Sequence, residues 1–382
     1  MPIPLESPRH LLHILSTFAV GGPQMRLVGL ANAFGRKYRH TILAMDGNTG
    51  AAVGLDSNLD CTFEAMTVVK SSGISLANLR NARRLLRKLR PDLLITYNWG
   101  AIEWALANGP LSLCPQVHIE DGFGPDESPQ HQNPRRAMMR RFLLYRCSQI
   151  IVPSHTLYRL AIDKWRLRRQ RVVYLPNGID CDRFSTAPDP ALLRSMGIDN
   201  DALVIGTVAV LRPEKNLKRL LRVFAALPRA LGAKLVIVGD GPEREMLGEA
   251  ARQLGVAAEV LMPGAITHPE RLLGRFDVFA LTSDTEQMPY SVLEAMAAGL
   301  PVVATDVGDV KHMLAPENAP FVLPRHDEAG FVHGLQTLLT DSKQRVQIGR
   351  CNRDHAHSNY TFDAMMARYD AIFSQREQCR AN

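Results

Sequence analysis

Two short apolar runs, Phe276–Leu281 (FDVFAL) and Pro301–Thr305 (PVVAT), are separated by a single helix-length stretch. A strand, a helix and a second strand in so little chain fit a parallel arrangement, with Val292, Leu293 and Ala295–Ala298 laid against the sheet. Pro289 suits the first turn of that helix, where a missing N–H costs nothing, and Gly299 suits its C-terminal stop. Glu286 stands just before the helix and Glu294 inside it. A loop feeding a helix N-terminus offers free N–H groups and the positive end of a dipole to an anion. Glutamates on either side cannot bind that anion, but they can accept hydrogen bonds from hydroxyls attached to it. The stretch therefore reads as a site for a phosphate carrying polyols on both sides. The alternative is that both glutamates are solvated surface residues.

The same alternation runs along the chain. Residues 9–20 form a strand run, followed by Gly21-Gly22-Pro23-Gln24 and a helix through Phe34. His40–Met45, Leu93–Thr96, Gln116–Ile119, Gln149–Pro153 and Val172–Leu175 read as strands, and Leu76–Leu89 as a helix with its leucines inward and its arginines outward. After a linker through Pro188 and Pro190 come the strands Leu203–Val210, Leu235–Val238 and Val260–Gly264, the helix Leu217–Leu227 and a last helix, Thr361–Arg376, preceded by the polar segment 353–359. This is an α/β chain of doubly wound parallel sheets, and 382 residues suit two domains. They are placed at 1–185 and 186–360.

The bulk properties exclude several classes. No apolar run approaches a membrane span, and the N-terminal LLHILSTFAVGG, interrupted by His13, reads as a strand rather than a signal peptide. Six cysteines without a C-x-x-C pair predict reduced thiols in a cytoplasm and no structural zinc. The net charge of +7 is uneven: residues 1–185 hold 24 Lys and Arg against 14 Asp and Glu, whereas the remainder is slightly acidic. The first half is thus expected to meet something anionic. Arg135–Arg146 (RRAMMRRFLLYR) is basic and partly amphipathic, which fits either a solvated face or a surface resting on anionic lipid. No nucleic-acid recognition motif is present.

Further candidates sit where α/β sheets place their chemistry, at the carboxyl ends of strands. His118, Glu120 and Asp121 follow one such run, and the glycine pair Gly21-Gly22 would let backbone approach a phosphate or sugar. In Leu211-Arg212-Pro213-Glu214-Lys215-Asn216, Arg212 and Lys215 can both point at one diphosphate. Gly239-Asp240-Gly241-Pro242 makes a tight turn, and residues 265–267 offer backbone to a base.

These motifs, in this order over roughly 300 residues, resemble the retaining nucleotide-sugar glycosyltransferases of family four, which have the GT-B fold: two Rossmann-like domains facing a cleft, with a C-terminal helix (here within 361–382) crossing back to the first domain. Glu286, Pro289, Leu293–Met296 and Gly299–Thr305 match the family's E-x7-E region; Arg212 and Lys215 match its R-x-x-K-N pair. The usual Gly-Phe after the first glutamate is Gln287-Met288 here, and His312 replaces an acidic residue often found after the loop 306–310.

The resemblance implies an acceptor-binding first domain, a donor-binding second domain and closure between them. It implies that Glu286 contacts the donor sugar and Glu294 the ribose, that Arg212 and Lys215 neutralise the diphosphate, and that His118 reaches the sugar near the transferred bond. Gly21, Gly22, Gly239, Gly241, Met288, Pro289 and Tyr290 would line the donor, with Glu120 and Asp121 on the acceptor side. It further implies transfer of a hexose-type sugar from a nucleotide diphosphate, UDP by frequency in the family, without a metal or cofactor. Together with the basic first half, it predicts a bacterial enzyme peripheral to the inner membrane face. The acceptor would be a glycolipid, polyprenyl-diphosphate sugar or glycan. A non-catalytic nucleotide-sugar scaffold and a GT-B epimerase remain as alternatives; an NAD enzyme would need G-x-G-x-x-G after the first strand, which Phe18–Gln24 lacks.

Overall fold

The central strand runs are too apolar to leave either face in water, and helices cover both faces. In the computed structural model, which describes residues 7–66, 68, 75–109, 112–123, 127–128, 131–198 and 202–375, these runs form two parallel sheets. The chain divides into two compact units, Met1–Leu175 with Met366–Asn382, and Pro176–Met365. The division lies ten residues before the 185/186 boundary expected from sequence. Ile179, Cys181 and Phe184 pack into the second unit's core beside Met288 and Leu293, and they draw the segment with them. Of the final segment, residues 376–382 lie outside the described residues.

The first unit's sheet has seven strands in the order β3-β2-β1-β4-β5-β6-β7: β1 Arg9–Leu15, β2 Tyr38–Ala44, β3 Cys61–Glu64, β4 Leu93–Tyr97, β5 Gln116–Ile119, β6 Gln149–Val152 and β7 Val172–Tyr174. Strand β3 was not anticipated: it is half-exposed and too short and mixed to show a period. Helix Leu76–Leu89 forms where the sequence predicted it, its first turn capped by the Ser75 side chain, with Ala82, Leu85 and Leu86 buried. The basic run begins as a helix at Pro134–Leu143, N-capped by Asn133, and tightens into a 3-10 turn over Leu144–Arg146. The last helix, Phe362–Ser374, spans the division between the units. Its first-unit part seats Phe373 against Phe34 and Tyr38, with Tyr369 packed on Phe373, and Arg9 Nη1 donates to the Phe373 carbonyl at 2.6 Å.

That aromatic face also holds a histidine pair. His13 Nε2 lies 3.0 Å from His40 Nδ1, and His13 Nδ1 lies 3.1 Å from the Tyr97 hydroxyl, with both histidines buried. Burial lowers the pKa of His40 to about 4, and burial with the neighbouring His40 and His10 holds His13 well below its ordinary value. Because the folded values are depressed, the fold keeps its full stability above the unfolded value of 6.5 and loses it as pH falls toward 4. At pH 5 the loss from His40 alone is about 2 kcal/mol. Melting temperatures taken from pH 8 down to 5 should fall through this window, and His40→Gln should flatten the fall. An identical acid limb in that variant would place the sensitivity elsewhere.

The second sheet has six strands in the order β10-β9-β8-β11-β12-β13: β8 Val204–Val208, β9 Lys234–Val238, β10 Val260–Gly264, β11 Val278–Leu281, β12 Val302–Thr305 and β13 Val322–Leu323. Helix Tyr290–Ala297 connects β11 to β12. It buries Val292, Leu293, Ala295 and Met296 and stops where Gly299 takes φ +75°, a left-handed position that favours glycine. Pro289 is its N-cap rather than a residue of its first turn. Residues 353–359 are not a separate segment but the last turns of helix Ser342–Asn359. That helix packs its small residues on the Tyr290–Ala297 helix: a Cβ on Gly349 would stand 2.0 Å from the Gly299 carbonyl oxygen. Buried Asn352 and Asn318 close the space between, Asn352 donating to the Leu300 carbonyl and to Asn318 Oδ1.

Candidate functional site in the second unit

In a doubly wound sheet the strand order reverses at one point, and the loops leaving the two strands there diverge to open a crevice. In the second unit the reversal falls between β8 and β11. The loop after β8 carries Arg212 and Lys215; the loop after β11 carries Glu286. Lys215 Nζ lies 2.6 Å from Glu286 Oε1, which also accepts a hydrogen bond from Ser283 Oγ at 2.7 Å. Arg212, on the same turn as Lys215, stays out: its side chain is 61% exposed, and its nearest acid is Glu214 at 4.0 Å. One cation is therefore held against the carboxylate, and the other is free to move toward an anion.

The β11 loop is braced by its own carbonyls. Thr305 Oγ1 donates to the Ser283 carbonyl at 2.6 Å and Arg325 Nη1 to that of Asp284 at 3.1 Å. The Asp309 N–H donates to the Gln287 carbonyl at 2.9 Å, and Asn177 Nδ2 to that of Met288 at 2.9 Å. Gly308 fits beneath, where a Cβ would stand 2.3 Å from the Glu286 carbonyl oxygen, and its φ of +57° also favours glycine. The loop's acceptors are thus turned inward into the unit, which fixes the loop before any ligand arrives. Asp284 then joins it to the β8 loop: its carboxylate accepts from Arg219 Nη2 at 2.8 Å and Asn216 Nδ2 at 2.9 Å, and its N–H donates to the Glu214 carbonyl. Sequence reading singled out none of Ser283, Asp284, Arg219 or Arg325. One signal was available: Asn216 before the apolar run is an N-cap, and its side chain accepts from the Arg219 N–H.

Glu294 is placed differently from Glu286. Partly exposed at its surface but ringed by protein, it loses hydration, which raises its pKa; Arg183 pulls the other way and Glu270 adds to the rise, leaving the value at about 7. Arg183 is itself engaged with Glu270 at 2.9 Å. Met288 and Pro289, expected to line a donor, are buried, with the Met288 side chain in the core, so they can offer a ligand only backbone. Tyr290 begins the helix and is half-buried. Gly239 and Gly241 adopt φ +136° and +156°, and a Cβ on Gly239 would strike the Ala209 carbonyl oxygen at 1.8 Å. This turn closes directly on the β8 loop.

In the first unit, the order reverses between β1 and β4. Gly21 and Gly22 follow β1 at that point. Gly21 is extended, with φ −175°, so any residue could adopt its backbone, and Gly22 opens the helix that runs to Phe34. His118 is enclosed in the first unit. It lies within β5, fully buried, with Nδ1 2.9 Å from Thr96 Oγ1 and Nε2 3.1 Å from Glu120 Oε2. A polar group at a buried strand position must be paired internally, and both ring nitrogens are so used. Glu120 is equally enclosed, 3.5 Å from Arg140, and offers no exposed carboxylate to an acceptor. Asp121, the next residue, is only slightly more open, its side chain 10% exposed, and it pairs with Arg26 at 2.7 Å and 2.9 Å.

Comparison with known proteins follows this division. Residues 20–183 match the family described as Glycosyltransferase Family 4, and residues 189–355 match the one described as Glycosyl transferases group 1. EpsF of Bacillus subtilis is 28% identical across 79% of this chain and 80% of its own length. A GDP-mannose-dependent alpha-(1-6)-phosphatidylinositol monomannoside mannosyltransferase of Mycobacterium tuberculosis is 30% identical across 51% of this chain and 54% of its own length, so the chain spans about half of that relative. The crystal structure of Anabaena HepE in complex with UDP-glucose shares the fold, with a TM-score of 0.80 over 96% of this chain and 99% of that one, at 19% identity. With both family models matched in series and the two-sheet architecture shared, the chain belongs to the glycosyltransferases of the family 4 type, built on the GT-B fold.

Proposed function

We propose that the protein transfers a hexose, with retention of anomeric configuration and without a metal, from a UDP-linked donor to a lipid-linked or polysaccharide acceptor at the cytoplasmic membrane face. The observation that carries this reading is the Lys215–Glu286 pair at the switch point of the second sheet, with exposed Arg212 on the same turn. A leaving diphosphate gains charge as the sugar bond breaks, and preorganised cations at that oxygen lower the barrier. Arg212 and Lys215 meet the diphosphate; as Lys215 turns to it, Glu286 is released to accept hydroxyls of the sugar. Glu294 accepts the ribose hydroxyls. On the first unit, Asp121 is the remaining acceptor-side acid. Among the described residues no helix is long and apolar enough to cross a membrane, so contact with a lipid-borne acceptor would be peripheral. The mannosyltransferase relative favours a second reading of the donor, GDP-mannose.

A thermal-shift panel of UDP, GDP, ADP and their common sugars, with and without magnesium, tests both. A ligand at roughly 100 times its dissociation constant adds about 2.7 kcal/mol of stability. The expected result is a shift with UDP and UDP-hexose that does not require magnesium; a shift with GDP alone selects the second reading, and no shift with any nucleotide removes both. Lys215→Met should then slow sugar transfer by about 10²–10³-fold. Undiminished turnover would take Lys215 out of the mechanism.

A further inference from the structure

The first unit presents one helical face whose chemistry its own fold does not use. Helix Glu103–Asn108 packs against helix Leu76–Leu89 on one side and helix Pro134–Leu143 on the other, so the three form a continuous layer over the sheet. Folding turns two of the arginines of the third helix inward, Arg136 and Arg140 both reaching Glu127. The opposite stripe of that helix and the turn after it points to solvent. Met138 is 54% exposed, Phe142 67% and Tyr145 49%, at spacings of four and three residues, which place them in one line. Three large apolar side chains in register on the solvent side of the helix and the turn after it mark a contact surface rather than scattered exposure.

The charge around the line is strongly basic, with Glu103 on the middle helix and Asp163 as the nearby acids. Arg135 and Arg141 are exposed beside it, and Tyr145 is flanked by Arg168 and Arg171, whose guanidinium carbons lie 4.6 Å and 5.9 Å from its ring centroid. Residues 134–146 and 164–171 hold ten Lys and Arg, of which Arg136 and Arg140 turn inward, and no Asp or Glu. A face serving only solubility would intersperse both signs. Neighbouring helix Leu76–Leu89 adds exposed Arg80, Arg84 and Arg87 and likewise contains no acid. Reversible binding to a bilayer needs two signals together, apolar insertion and attraction to anionic headgroups, and this face carries both. Nucleic acid would use the cations but leave Met138 and Phe142 in water.

We infer that the layer of helices 76–89, 103–108 and 134–143 docks on an anionic lipid bilayer, with Met138, Phe142 and Tyr145 entering the headgroup region and the surrounding arginines contacting lipid phosphates. This deepens the reading of a lipid-borne acceptor and rests on it for its purpose, but not for its measurement. The full chain is sedimented with vesicles of phosphatidylcholine alone and with an equal mixture of phosphatidylcholine and phosphatidylglycerol. The expected result is partitioning onto the mixed vesicles only, weakened by salt, about fivefold weaker for each arginine neutralised (Arg135→Gln, Arg141→Gln), and at least tenfold weaker in Phe142→Ser. All three positions are exposed, so the variants should fold, and the nucleotide-induced thermal shift should stay as in the unaltered protein. No partitioning, equal partitioning onto neutral vesicles, or partitioning unchanged in both Arg141→Gln and Phe142→Ser would overturn the inference. Retained partitioning in Phe142→Ser with loss in the arginine variants would also overturn it, because it would point to a purely ionic partner such as nucleic acid. Failure of the donor reading appears separately, as no nucleotide shift in the unaltered protein.

Discussion

Glu294→Gln is expected to raise the melting temperature of the ligand-free protein at pH 8 while weakening its affinity for a nucleoside diphosphate. The two effects have one cause. Glu294 loses hydration in its setting, and its pKa rises to about 7 from an ordinary value of 4.5. A carboxyl whose folded value is raised costs nothing below 4.5, where it is protonated in both folded and unfolded chains. Its contribution is lost as pH climbs toward 7 and stays lost above it. Across that interval the fold gives up about 3 kcal/mol, and glutamine, which does not ionise, removes the whole dependence. In a unit of this size that corresponds to a gain of roughly 6–12 °C, reduced by whatever attraction to Arg183 is lost. The gain should vanish near pH 4.5, because there the native side chain is already neutral.

An ionised group held at such a cost is what a binding site requires. Hydroxyls of a ribose donating to a carboxylate form charge-assisted bonds worth about 1.5–3 kcal/mol. Glutamine keeps one acceptor oxygen but not the charge, so nucleotide affinity should fall about tenfold. Binding near pH 7 should also release protons as the site selects the carboxylate, which titration calorimetry in buffers of different ionisation heats reads directly. A variant less stable at pH 8 than the native chain would make Glu294 a structural acceptor. Unchanged affinity would move the ribose elsewhere. This trade of stability for function is common at sites built on strained or desolvated groups.

How far the sequence reaches is visible in particular residues. The βαβ unit around helix Tyr290–Ala297 was legible because its apolar period and Gly299 state one answer together. Lys215 and Glu286 were both singled out in the sequence, but their contact was not legible there. They are 71 positions apart, and only the strand order, with β8 beside β11, brings their loops together. Helix Ser342–Asn359 hid for a different reason. Its buried residues are Ile348, Gly349, Asn352 and Ala356, a helical spacing written in small and polar side chains. They bury because glycine permits backbone contact and asparagine bridges two carbonyls, neither of which a hydrophobic pattern records. The pairing of His118 was not legible because a strand-end histidine and a strand-interior histidine look alike in sequence. Position within β5, one residue short of its end, turned it inward onto Thr96 and Glu120.

The largest loss of stability from a single change in the first unit is expected from Arg140→Met. The guanidinium is fully buried between two indole rings, 5.0 Å from the centroid of Trp99 and 4.7 Å from that of Trp165, and it donates to Glu127 at 3.2 Å and Glu120 at 3.5 Å. Methionine can occupy the slot between the rings, so the cavity is a minor effect. What methionine cannot do is compensate Glu120 and Glu127, whose side chains have no exposure. Arg136, partly exposed, pairs with Glu127 at 3.4 Å. Stranding a buried carboxylate in this way costs about 3–5 kcal/mol. Adding Glu127→Gln to Arg140→Met should restore a large part of that loss, because the second change removes the uncompensated charge created by the first. Chemical denaturation of the single and double variants measures this. If the double variant is as unstable as the sum of the separate changes, the cation's stacking between the tryptophans outweighs its charge. If it recovers, the ion network is what holds the end of β5. That end leads into Asp121, which follows Glu120 directly and is pinned to Arg26 from the other side, so a slackened network would first displace Asp121.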